Sequence, residues 1–178
     1  MRLAVFLLVL MLPAAWAAPA KPLDALFAQL HAAPSPEDAK PIEEQILALF
    51  RQSGSPSVDL LMTRAAAAEA AGDKDTARQL VDAVTDIAAD YAEGWHRRAL
   101  LQSAAGDDEG AMVSLQKAIV LNPRQFEAME QLGEMLEAYG DKPGALKMYR
   151  GAQALDPQLE GLQRHIDALS RAVEGQGI

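Results

Sequence analysis

Three glycine–aspartate steps, Gly72-Asp73, Gly106-Asp107 and Gly140-Asp141, follow one another at intervals of 34 residues. Glycine tolerates the left-handed backbone that ends a helix. An aspartate side chain caps the free N–H groups that begin the next one. Each step is therefore expected to be a tight turn between two helices. A fixed period of this length predicts a stacked array of helix pairs, because one pair cannot bury its apolar face alone. Composition agrees: half of the 178 residues are hydrophobic but only 5% are aromatic. The core must be built from Ala, Leu, Val and Met, which suits closely packed helices. Alternating and β-branched runs are nearly absent, so strands are not expected.

The period organises more than the turns. Ala65, Ala99 and Gly133 lack bulk at one register position, and Ala77, Ala111 and Ala145 answer them from the second helices. Leu61, Trp95 and Met129 fill the gaps between neighbouring pairs. Pro123 and Pro157 stop one unit before the next begins, whereas the first unit has Ala89 there. In this register the second unit carries Trp95, Ala99, Gly106, Ala111, Leu115, Ala118 and Leu121-Asn122-Pro123. The third carries Met129, Gly133, Leu136, Gly140, Ala145, Tyr149, Ala152 and Leu155-Asp156-Pro157. Over Val58 to Pro157 the chain resembles the tetratricopeptide repeat family. The resemblance implies an all-α fold, a right-handed superhelical array of antiparallel helix pairs whose first helices line a concave groove. Arg64 and Arg98 stand where the family often has leucine, and Ala68 and Gln102 replace a frequent aromatic residue. The arginine stems are expected to lie over the core and the heads to pair with carboxylates.

The chain divides accordingly. Residues 1–17 read as a secretory signal peptide: Arg2, the apolar run Leu3–Leu12, Pro13, then Ala15-Trp16-Ala17 before the expected cut. Ten apolar residues are too few for a membrane-spanning helix. With no cysteine in the chain, neither a lipid anchor, a disulfide nor a thiolate site is expected. The mature protein is expected across the inner membrane in the periplasm, and the chain also resembles small secreted tetratricopeptide proteins of Gram-negative bacteria. Residues 18–56 form a lead and a divergent helix pair with apolar positions Leu23, Leu26, Phe27, Leu30 and Ile42, Ile46, Leu47, Phe50. This pair is expected to cover the open end of the array. Residues 57–157 hold three repeats, 58–91, 92–125 and 126–157. Residues 158–178 supply a capping helix with Leu159, Leu162, Ile166, Leu169 and Val173 on one face, ending in a fraying tail. The expected count is nine helices.

Function is expected in the groove. The resemblance places Asp59, Met62 and Glu69 of the first repeat there, with Glu93, His96, Arg97 and Leu100 of the second. Glu127, Glu130, Gln131, Glu134 and Glu137 come from the third. The spacing of Glu127, Glu130, Glu134 and Glu137 sets four carboxylates along one helix face. Their mutual repulsion costs a few tenths of a kcal/mol per neighbouring pair, which a basic ligand segment would offset; the plainer alternative is a solvated face. Some members of the family clamp a peptide's terminal carboxylate with Lys and Asn on these faces. Here Glu130, Glu134, His96 and Leu100 hold the matching positions, so a basic or mixed basic and apolar protein segment is the expected partner. The formal charge of −9 argues against nucleic acid, whose phosphates must be neutralised. No catalytic constellation, metal-ligand spacing or cofactor motif is found. The expectation is a non-enzymatic interaction module of the cell envelope. Self-association through Met62 and Leu100 is the alternative, and an enzyme is the least expected.

Overall fold

The computed structural model describes residues 22–175; the expected signal peptide, residues 18–21 of the lead and residues 176–178 of the tail lie outside them. Nine helices and no strand occur among the described residues. They are α1 Pro22–Ala32, α2 Pro36–Phe50, α3 Pro56–Ala70, α4 Lys74–Ile87, α5 Ala92–Ser103, α6 Asp108–Leu121, α7 Phe126–Ala138, α8 Lys142–Leu155 and α9 Leu162–Val173. None is long and apolar enough to cross a membrane.

The three glycine–aspartate steps share one geometry. Gly72, Gly106 and Gly140 have φ of 79°, 79° and 83°. The following aspartate N–H reaches back to Ala68, Gln102 and Leu136 carbonyls at 2.9, 2.9 and 2.8 Å, closing a Schellman turn. Its side chain then accepts the N–H of Thr76, Gly110 or Gly144 at the start of the next helix. Turn and cap together reverse the chain, so α3 packs on α4, α5 on α6 and α7 on α8. The second helix of each pair meets the first helix of the next, and α9 closes against α8.

Packing follows the small residues. Ala65, Ala99 and Gly133 are buried, as are Ala77, Ala111 and Ala145. In the third repeat the Tyr149 ring fills the space that glycine leaves: a Cβ on Gly133 would stand 2.7 Å from two ring carbons. Arg98 behaves as expected, pairing with Asp82 at 2.8 Å and lying 5.4 Å from the Trp95 ring centre. Arg64 does not: it is exposed and makes no ion pair among the described residues.

The N-terminal pair is where the fold departs from the expectation. α1 and α2 do not stack ahead of α3 to cover the open end. They fold back along the edge where successive repeats join and bind all three junctions. The Tyr91 hydroxyl, between α4 and α5, donates to the Arg51 carbonyl at 2.7 Å. Arg124, between α6 and α7, pairs with Asp24 at 2.6 Å and its guanidinium lies 3.8 Å from the Phe27 ring centre. Gln158, between α8 and α9, donates to the Ala33 carbonyl at 2.9 Å, and His31 Nε2 donates to the Ala154 carbonyl. Phe27, Leu30, Ala39 and Ile46 join one apolar cluster with Phe126, Leu146, Tyr149, Leu162, Ile166 and Leu169. The physical reason is apolar area. The third repeat and α9 offer aromatic and leucine side chains, while the first repeat offers mostly alanine and valine, so the amphipathic pair buries more by strapping across the array. Fifteen helical residues in α2 span roughly 22 Å at 1.5 Å each, enough to run from the last junction to the first.

Candidate functional site

Clefts open along the inner helices and the strap. The first, about 450 Å³, lies between α3 and α5 and is closed at one end by Arg51 from the strap. Its walls carry Asp59, Met62, Thr63, Ala66, Tyr91, Glu93 and Arg97. The second, about 300 Å³, lies between α5 and α7 and is lined by Ala99, Leu100, Ser103, Leu115, Gln131, Glu134 and Met135. The third, about 500 Å³, lies between the strap and the far end of the array, with Lys40, Glu43, Glu130 and Glu160 among its walls.

The groove residues expected from the sequence separate into four situations. Met62, Arg97, Leu100 and Glu134 line open clefts. Arg97 is held by Glu69 at 2.7 Å, which makes the first cleft mixed in charge rather than acidic. Asp59 reaches the first cleft, but its Oδ1 accepts the Ser53 N–H at 3.0 Å and hydroxyl at 2.6 Å; these bonds hold its carboxyl below the usual range. It ties the strap's exit to α3.

Glu93 and His96 are buried, at 7% and 3% exposure, which corrects the expectation that they face solvent. α5 starts beneath the strap's end, so its first turn is covered, and the next turn is covered by α7. Gln125, itself buried, donates to Glu93 Oε2 at 2.8 Å. His96 sets Nδ1 3.3 Å from Glu93 Oε2 and Nε2 3.1 Å from Gln131 Oε1. An imidazolium donates to both oxygens. Burial opposes that charge, but Glu93, Glu127 and Gln131 outweigh it, and the His96 pKa is raised. The network joins α5 to α7 and is structural.

The four carboxylates of α7 do not act as one open row. Glu127 is partly covered and its pKa is raised, first by burial. Glu130 faces the third cleft and is pushed up to about 7 by burial and by Glu134, Glu127 and Asp156. Glu137 accepts the Tyr149 hydroxyl at 3.0 Å and His165 Nδ1 at 2.9 Å. Glu134 alone is both exposed and without a hydrogen bond among the described residues. No group of three or more His, Asp or Glu suited to a metal ion occurs among the described residues.

Comparison with known structures decides what this architecture is. The tetratricopeptide domain of Sgt2 from Aspergillus fumigatus superposes with a TM-score of 0.59 at 24% identity, over 68% of this chain and 82% of that one. The fold is a tetratricopeptide repeat array. The first tetratricopeptide domain of Spaghetti (RPAP3), bound to the HSP90 peptide SRMEEVD, gives 0.59 at 18% identity, over 66% of this chain and 93% of that one. A TPR repeat-containing protein of Rhizobium etli is 28% identical over 157 residues, 88% of this chain and 77% of its own length. No protein-family model matches the chain.

Within this array the sequence did not reveal Arg51, Gln125 or Met135 as cleft or network residues. Met135 follows the inner-helix register and was legible in principle. Arg51 and Gln125 owe their positions to the strap and to a junction, which no local pattern encodes.

Proposed function

We propose that this chain is a non-enzymatic module of the cell envelope that holds a segment of another protein along its first two clefts. The observation that carries the reading is the second cleft, where Leu100, Leu115 and Met135 adjoin the unpaired Glu134. Apolar walls beside one unneutralised carboxylate fit a segment that alternates apolar and cationic side chains. The first cleft continues the same surface with Met62 and Ala66. The Spaghetti domain takes a peptide ending in acidic residues. In this chain Glu130 and Glu134 stand where an acid clamp would need Lys or Asn, so the preferred charge is reversed. The envelope assignment rests on the layout of residues 1–17, and N-terminal sequencing of the exported protein is expected to begin at Ala18.

The test is site-specific photocrosslinking from position 100 in an envelope extract, with the attached peptide identified by mass spectrometry. A single saturable product is expected. The Glu134→Lys variant is expected to weaken capture about tenfold, as charge reversal at a partly desolvated contact does. Absence of saturable capture, or capture that the variant leaves intact, would count against the reading. Light scattering over a concentration series separates it from self-association: a dimer that protects Met62 and Leu100 would favour that alternative.

A further inference from the structure

Asp156 closes α8. The residue is fully buried. Its Oδ1 accepts the Gln158 N–H at 3.0 Å, while Oδ2 has no partner among the described donors. A buried carboxylate oxygen without a donor is costly and calls for an explanation. Glu43, on the strap helix α2, lines the same cleft as Gln158, whose N–H holds Asp156, and the two carboxyl groups act on each other there. As two carboxylates they would repel across the contact that holds the strap; with one proton between them they attract.

We propose that Glu43 and Asp156 share one proton, the neutral Glu43 carboxyl donating to Asp156 Oδ2, and that this bond is a pH-sensitive latch of the strap. The proton resides on Glu43 because Asp156 already accepts a backbone N–H and is the stronger acid. The bond sits beside the other contacts of the last junction, Gln158 to Ala33 and His31 to Ala154, so it bears on the strap's attachment directly.

The charged groups around the pair set its sensitivity. Glu127 and Glu130 on α7, with Glu37 and Glu160 at the cleft, disfavour a second negative charge; Lys40 on α2 and His31 on α1 partly offset them. Burial first, then Asp156, pushes Glu43 up to about 7. The sign follows: the attached strap binds a proton that the detached strap releases near 4.5. The latch is therefore full below that value and is lost as pH rises through about 7. Release would uncover Glu127 and Glu130 and withdraw Arg51 from the first cleft. The latch does not depend on what the clefts hold.

Hydrogen exchange of peptides from residues 36–50 in the full-length chain tests this. After correction for the intrinsic pH dependence of exchange, protection is expected to fall by up to about tenfold between pH 6 and pH 8, the linkage expected for one such proton. In Glu43→Gln the side-chain amide donates to Asp156 at any pH, so most of that fall should vanish. Unchanged protection in the unmodified chain, or an equal fall in the variant, overturns the latch. Carboxyl NMR of the unmodified chain decides independently of whether the variant folds: a Glu43 midpoint near 7 supports the shared proton, and one near 4.5 removes it.

Discussion

Substituting Gly133 with alanine should destabilise the array although it improves the helix. In an exposed helix the change would gain about 1 kcal/mol. Here the new methyl would stand 2.7 Å from Cδ1 and Cε1 of Tyr149 and 3.2 Å from Cζ, against the roughly 3.5–4.0 Å of an ordinary carbon contact. The ring has little room to retreat. It is 1% exposed, its hydroxyl is held by Glu137 at 3.0 Å, and it packs against the His165 ring with centres 5.3 Å apart. Overpacking of this kind costs about 1–3 kcal/mol, so with the propensity gain deducted a net loss of about 1 kcal/mol is expected. The repeat itself supplies the control. Ala99 and Leu115 occupy the equivalent positions one period earlier, both buried. Gly133→Ala with Tyr149→Leu therefore recreates a pairing the chain already uses. Urea unfolding of both single variants and the double variant should give a favourable coupling of about 1 kcal/mol. A neutral or stabilising Gly133→Ala, or strict additivity in the cycle, would refute the steric argument.

Three further outcomes are expected. His96 should titrate above 6.5 by imidazole NMR; because its folded pKa is raised, its stabilisation is complete below 6.5 and lost as pH climbs through the folded value, and His96→Gln should flatten that part of the stability profile. Tyr91→Phe removes the hydroxyl that pins the Arg51 carbonyl and should cost about 1 kcal/mol in urea unfolding, with faster exchange at the end of α2 than at its start. Asp107→Ala deletes the cap on Gly110 and should lower stability by about 1 kcal/mol, whereas Glu109→Ala, exposed in the same first turn and outside the cap, should cost clearly less in the same assay.

The helices were readable because their signals are local. A glycine that can turn left-handed, an aspartate that can cap, and small residues at a constant spacing act within a few residues of themselves, and Gly106-Asp107 behaves the same wherever the array lies. The inner-helix register likewise pointed to Met62, Arg97, Leu100 and Glu134, whose side chains do line clefts. It did not show that Glu93 and His96 are buried, because a register says which way a residue faces and not what is packed in front of it.

The docking of α1 and α2 belongs to the tertiary level alone. The stripe Ile42, Ile46, Leu47, Phe50 announces that one face of α2 is buried; the hydrophobic effect is non-directional and names no partner. Only the assembled fold shows that the third repeat and α9 present the larger apolar surface. That choice places Glu43 against Asp156 and Arg51 in the first cleft. Neither contact has any trace in local pattern, since each joins segments about a hundred or several tens of residues apart through a surface that exists only once the repeats have stacked.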